Sequence, residues 1–284
     1  VIDIWFKVQM KWRDLEPVFI GAEDIRQQLP EEAKRFDKIN KTFKDIMTAS
    51  SKKGTSCVEA THADNRLEIL EDTSERLDSC QKSLSDYLDT KRAAFPRFFF
   101  ISDEELLSIL GTTDPMAIQP HLLKLYMNCK LFTFGRGNKT VIGMSSAEKE
   151  TYEFKTAAQI EGPVEIWMEA VEKEMVNSLR AITKEAVYNY AKSDRVDWVD
   201  STLAGAGLLG SRIWWTWETE DVFRSVLEGN VYAMKNFLVK QKTQLNALVA
   251  TVRKKISKHF RKKINTLLII DNHAMSIIDL FVRD

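Results

Sequence analysis

The sequence is short of the residues that staple or metallate small proteins. Its 284 residues contain three cysteines, Cys57, Cys80 and Cys129, an odd and widely spaced set. With no close pair they argue against a disulfide framework or zinc knuckle and for a reducing compartment, so they read as buried or incidental thiols. Excess charge of either sign is missing too. The 41 basic residues balance 41 acidic ones, so no global field draws in a polyanion, and neither nucleic acid nor membrane is an expected partner. The same neutrality predicts limited solubility for the isolated chain. No run of 18 or more apolar residues occurs, and the opening VIDIWFKVQMKW lacks the basic region and cleavage pattern of a secretion signal. It starts in mid-helix pattern, as an excised segment does.

Chemistry-bearing motifs are equally scarce. No GxxxxGK[ST] loop, HExxH pair or EF-hand occurs. His62, His121, His259 and His273 are isolated from one another in sequence; a fold that brought His121 near Cys129 would still fall short of four zinc ligands. Gly205, Gly207 and Gly210 spell GxGxxG, but the dinucleotide turn must leave a buried strand, and the preceding DRVDWVDSTLA is a polar segment. Close packing at a helix start is the better reading. The acid pairs Glu31 with Glu32 and Glu104 with Glu105 have no accompanying nucleophile and read as first-turn acids. No cofactor, metal or catalytic residue is therefore expected in this chain.

Helical periodicity is what the sequence has in abundance. Ile4, Val8, Trp12 and Leu15 form one stripe, expected to end near Pro17, and Phe36, Ile39, Phe43 and Ile46 form a second after Pro30. SSKKGTS, residues 50–56, reads as a flexible loop. From about Asn65, the positions Leu70, Thr73, Leu77, Cys80, Leu84 and Tyr87 lie three and four apart, the seam of a long packed helix. Pro96 stops it, and FPRFFFI reads as a short buried connector or strand. Ser102, followed by Asp103, Glu104 and Glu105, is an N-terminal cap for a helix that ends at Gly111; Asp114 and Pro115 open the next.

At Cys129 the period changes. KLFTF, GRGNK, TVIGM and TYEF give short β-branched and aromatic runs separated by turns, a small antiparallel hairpin or meander in an otherwise helical chain. NKT at Asn138 belongs to that turn rather than to a glycan. Helical stripes resume with Val171, Met175, Leu179, Ile182 and Ala186, then over Leu208 to Phe223, and last from Val231 to Leu267, either as one rod or with a break near Ser257. Seven tryptophans include Trp214, Trp215 and Trp217, a cluster that implies burial on more than one helix side. RKKISKHFRKK, carrying Arg253, Lys254, Lys258, Arg261 and Lys262, reads as a solvated helix face, with an interdomain or protein contact as the functional alternative.

Several long blocks also resemble one family. DYLDTKRAAFPRFFFISDEELLSIL, DPMAIQPHL, IGMSSAEKETYEF, VEIWMEAVEKEM and SRIWWTWETEDVF, with FIGAEDIRQQLPEEAKRFDKINKTFKDIM upstream, are similar in order to the linker region of dynein heavy chains, and the wording around Asp114 and Pro120 is nearer the axonemal than the cytoplasmic type. GAGLLG departs from the Tyr-Pro-containing phrase expected before the Trp-Thr helix.

The resemblance implies a mainly α fold, an elongated curved stack of helical bundles with one small β hairpin or meander. Helical linker subdomains are expected over 1–128, the β insertion over 129–161, and a C-terminal helical subdomain over 162–284 that leads toward the first AAA+ module. It further implies a mechanical lever that transmits ATP-driven change in the AAA+ ring during the power stroke of ciliary or flagellar motility. ATP and magnesium would belong to the ring modules, outside this sequence. The expected partners are the AAA+ ring of the same heavy chain, other dynein subunits and microtubules; the expected location is the cytoskeleton of the cytoplasm, in the axoneme of a cilium or flagellum. By the same resemblance Leu131, Phe134, Val141, Tyr152 and Phe154 form a candidate ring-contact element. Trp167, Trp214 and Trp215 are candidate anchors that keep each bundle stiff. The alternative function is a stand-alone α-helical adaptor that binds partner proteins through the basic face.

Overall fold

Helix-forming periodicity governs most of the chain, and the structure, a computed structural model, is mainly helical; it describes residues 1–21, 23–52 and 55–283, with the side chains of residues 23 and 24 outside the description. Lys53 and Gly54 of the expected loop lie outside the described residues. The chain folds as two units, Val1–Met144 with Ala158–Val171, and Ser145–Ala157 with Glu172–Asp284.

In the first unit α1 (Ile2–Gly21), α3 (Pro30–Ser50) and α5 (Arg66–Ala94) pack together, with the short α2 (Glu23–Gln28) and α4 (Cys57–Thr61) between them. Val8, Leu15 and Phe19 of α1 and Phe36, Ile39 and Phe43 of α3 are buried, and Phe19 stacks on Phe36 at 5.3 Å. That contact explains why α1 continues past Pro17 instead of ending there. Proline deprives the Arg13 carbonyl of its donor, but the buried Phe19 holds the last turn, and Arg26 donates to the Phe19 carbonyl at 2.7 Å. The long seam of α5 runs through Leu70, Thr73, Leu77, Cys80 and Leu84 as expected, then through Leu88 and Arg92.

After α5 the chain tightens into a 3₁₀ turn, Pro96–Phe100, rather than a strand. Phe95, Phe98 and Ile101 are buried, whereas Phe99 and Phe100 face outward, because a three-residue period cannot turn four consecutive apolar residues inward. Ser102 caps α6 (Asp103–Leu110) in a reciprocal box: the Glu105 N–H donates to Ser102 Oγ at 3.3 Å, and the Ser102 N–H donates to Glu105 Oε2 at 3.2 Å. Asp114 accepts from the Met116 N–H and opens a second 3₁₀ turn, Pro115–His121, before α7 (Leu122–Leu125).

Strands β1 (Leu131–Phe134), β2 (Thr140–Ser145) and β3 (Thr151–Gln159) form a three-stranded antiparallel sheet in the order β1-β2-β3. Both edges are covered, as unpaired strand edges require. On β1, the Gln119 amide exchanges two hydrogen bonds with the Phe132 backbone, at 2.9 and 3.0 Å. On β3, the Lys155 N–H donates to Ser178 Oγ and the Thr156 N–H to Glu174 Oε1, both residues of α8 (Val164–Tyr190).

The second unit holds most of α8 with α9 (Arg195–Ser201), α10 (Ala204–Leu227), α11 (Ala233–Val252) and α12 (Lys258–Arg283). One core joins Ala186, Trp198, Val199, Ala206, Leu248, Ile264 and Leu267; a second joins Met234, Phe237, Leu238 and Ile278, with Trp215 against it. The last stripe is broken at residues 253–257, not a single rod. Arg261 donates back to the Val252 and Lys254 carbonyls at the end of α11, and Ser257 Oγ accepts from the Phe260 N–H as α12 begins. By length and composition α12 is apolar enough to cross a membrane, though Ile264, Leu267, Ala274 and Ile278 are buried within the protein.

Candidate functional site

Two helix ends meet where α9 passes into α10, and each leaves backbone groups that the helices cannot satisfy. The second unit supplies charges of the right sign. At the end of α9, Lys263 donates to the Thr202 carbonyl and, at 3.2 Å, to the Asp200 carbonyl. At the start of α10, where Leu203 offers no side-chain cap, the Ala204 N–H donates to Glu150 Oε1 at 2.9 Å. A cation thus sits at a helix C-terminus and a carboxylate at a helix N-terminus, each complementing the helix dipole. Glu150 and Lys263 lie 3.7 Å apart, and His259 Nε2 is 3.4 Å from the same carboxylate. Burial pushes the Lys263 ammonium below its ordinary pKa, opposed by the Glu150 and Asp200 carboxylates.

Glu150 belongs to the turn between β2 and β3, and Glu148 of that turn reaches Lys262 at 2.6 Å. The turn, the α9–α10 joint and the first turns of α12 are therefore clamped together. Of the five residues read as a basic face, Arg261 bonds inside the unit and Lys262 pairs with Glu148 while remaining exposed; Arg253, Lys254 and Lys258 are exposed as well.

The glycines of GAGLLG lie inside α10, with no strand before them. A β-carbon at Gly207 would touch the Thr202 side chain at 3.7 Å, and one at Gly210 would stand 3.2 Å from Trp198. They let α10 approach α9 closely. No open turn remains for a pyrophosphate, so these residues do not fit a nucleotide.

Leu131 is exposed and Phe134 and Tyr152 are half-buried, whereas Val141 and Phe154 are buried. Trp167 is buried in the first unit, where it lines a cleft of about 560 Å³ beside a Lys91–Glu165 pair at 2.5 Å. Trp214 donates to the Val187 carbonyl at 2.7 Å and stacks on Tyr190 at 5.1 Å; Trp215 is half-buried under Arg212. Cys80 and Cys129 are buried, and Cys57 is exposed.

Glu31 pairs with Lys34 and Glu32 with Arg35, while His121 and Lys124 both face Glu105. Among the described residues no three His, Cys, Asp or Glu side chains gather as a metal site.

Two residues of consequence escaped the sequence reading. Trp198 is 1 % exposed and donates to the Ala186 carbonyl at 2.8 Å. Arg195 is buried against the Tyr190 and Trp198 rings and donates to Ser211 and Asp271, at 2.6 Å each. The signal in DRVDWVDS was its spacing, since Arg195, Trp198 and Val199 fall at i, i+3 and i+4.

Residues 1–186 match the family model described as dynein heavy chain, N-terminal region 2. The chain is 55 % identical over 256 residues to the dynein-1-alpha heavy chain of the flagellar inner arm I1 complex of Chlamydomonas reinhardtii, covering 90 % of this chain and 6 % of that one. Over 289 residues it is 50 % identical to human dynein axonemal heavy chain 10, covering 100 % and 6 %. Identity to the ciliary dynein beta chain of Heliocidaris crassispina is 39 % over 288 residues, covering 99 % and 6 %. The chain spans about 6 % of the length of these relatives.

Proposed function

We propose that this chain, which belongs to the dynein heavy chain family, is the mechanical lever of an axonemal motor and carries displacement from the ATP-driven modules of the same heavy chain. The observation that carries the reading is the Glu150–Lys263 clamp. A lever must not yield at the joints between its helices, and here the open ends of α9 and α10 are held by charges from two other elements. Packed helices are weakly compressible, so motion applied at one end of such a body passes to the other. Charged hydrogen bonds resist sliding because a broken one leaves a partly buried charge unpaired.

On this reading hydrolysis belongs to AAA+ modules elsewhere in the heavy chain, with their ATP and magnesium, and this chain contributes no catalytic group. Phosphoryl transfer needs a phosphate cradle and metal-positioning residues. The exposed Leu131 and the hairpin around it are the element offered to the ring. Other dynein subunits and microtubules are partners of the whole motor. The names of the relatives, flagellar, ciliary and axonemal, support work in the axoneme of a cilium or flagellum. The adaptor alternative draws less support, because Arg261 and Lys262 of its basic face are engaged within the chain.

The test is distance measurement by fluorescence transfer in the intact heavy chain, between a dye at the exposed position Lys255 and one on the first ATPase module. The distance should change between the ATP-bound and product states. A distance that stays constant through the cycle overturns the proposal.

A further inference from the structure

Among the buried polar atoms of the second unit that make no hydrogen bond within the protein are four on three neighbouring residues: Nε and Nη1 of Arg195, Nε1 of Trp215 and Oε1 of Gln241. All three residues line one cavity of about 30 Å³, with Glu218 and Asp271 also in its wall. Arg195 is 8 % exposed, and its remaining nitrogen, Nη2, is taken by Ser211 and Asp271. Arginine and indole nitrogens only donate, and an amide oxygen only accepts, so four N–H bonds and one acceptor await partners from helices α9, α10 and α11. Left unpaired, buried groups of this kind forfeit their lost solvation.

We infer that this cavity is an internal hydration site that holds two ordered water molecules and joins the three helices through them. Water has both the lone pairs that the Arg195 and Trp215 donors need and the hydrogens that Gln241 Oε1 needs. An anion would satisfy the donors but would face the Gln241 amide oxygen and the Glu218 and Asp271 carboxylates; a cation would face the four N–H groups. The volume agrees, since a water needs roughly 10–15 Å³ of space for its centre and two to four polar partners. Bridging waters bond nearly as well as direct contacts and exchange without disturbing the side chains, so the joint remains closed through small helix displacements.

The test is a high-resolution crystal structure of the chain, grown once in chloride-free buffer and once in bromide. Two ordered densities within hydrogen-bonding distance of Arg195, Trp215 and Gln241, with no anomalous signal in bromide, are the expected result. An anomalous peak in the cavity overturns the assignment in favour of an anion. No density there, with Gln241 Oε1 bonded directly to Trp215 or Arg195, overturns hydration altogether. The Gln241→Met variant, which keeps the side-chain length and removes the amide acceptor, should lose at least one of the two densities; unchanged density in that variant contradicts the assigned partners.

Discussion

Trp198 lies 3.2 Å from the point that a β-carbon on Gly210 would occupy, so the contact between α9 and α10 is set by a tryptophan ring lying against a residue that has no side chain. The ring is also fixed by the bond from Nε1 to the Ala186 carbonyl at 2.8 Å, so it has little slack to give. The glycine is a packing device, and its neighbours in the motif differ from it in a measurable way.

Gly210→Ala should lower stability by about 1–3 kcal/mol, the cost of forcing an extra carbon into a filled core. Gly205 has nothing within 4 Å of its β-carbon position, so Gly205→Ala should instead raise stability by about 0.5–1 kcal/mol through helix propensity. Urea unfolding of the two variants checks the pair. Equal effects would mean that the close approach at Gly210 is not what selects glycine.

Lys263→Met keeps the unbranched stem of the side chain as far as the ε position and removes the ammonium that serves the Asp200 and Thr202 carbonyls and Glu150. With only 8 % of the lysine side chain exposed, the loss should be about 1–3 kcal/mol. Lys262→Met, at the more exposed pair with Glu148, should cost about 0–1 kcal/mol. Thermal unfolding of both variants under one buffer distinguishes the clamp from an ordinary surface pair.

Glu105 gives stability a pH dependence of known sign. The Lys124 ammonium, 2.6 Å away, with the Ser102 N–H, lowers the carboxyl to about 2 from its ordinary 4.5. A carboxyl depressed in the folded state contributes stability that is present above pH 4.5 and is lost as pH falls toward 2. Glu105→Gln should flatten that part of the acid limb in a pH series of unfolding midpoints and leave its slope near pH 7 unchanged. An acid limb of the same slope in the variant contradicts the assignment.

The three thiols should divide by accessibility. Burial pushes Cys129 up to about 12 and raises Cys80 as well, whereas Cys57 is exposed. Thiolate is the reactive form, so a maleimide at neutral pH should label one site quickly in the folded chain and three after denaturation. Peptide mapping should place the early label on Cys57. Rapid labelling of Cys129 would show that the helix and strand around it open readily.

Much of this architecture was legible because local rules and tertiary packing agree. The α5 seam has enough turns for its spacing to be read without a structure, and Ser102 with Glu105 carries its own capping chemistry. The hairpin is announced by a change of period at Cys129. The misses lie where a tertiary contact overrides a local rule. Pro17 sits inside α1 because Phe19 is buried beyond it, and Phe99 and Phe100 face outward because the chain turns in 3₁₀ geometry. Spacing alone hinted at Arg195, and its residue type argued against burial, since a guanidinium is an ordinary surface group until partners such as Asp271, 76 residues away, are in place. Glu150 was hidden for the same reason: nothing near it in sequence shows that it caps a helix starting 54 residues later.

The claim that this chain acts as a lever rests most directly on whether its clamp couples hydrolysis to movement. The measurement is microtubule gliding velocity and ATP turnover by the same intact heavy chain carrying Glu150→Gln, which keeps the side-chain shape and removes the charge facing Lys263, His259 and the α10 N-terminus. The lever account predicts slower gliding with ATP turnover close to that of the unaltered motor. Unchanged gliding, or gliding and turnover that fall together in proportion, would contradict it.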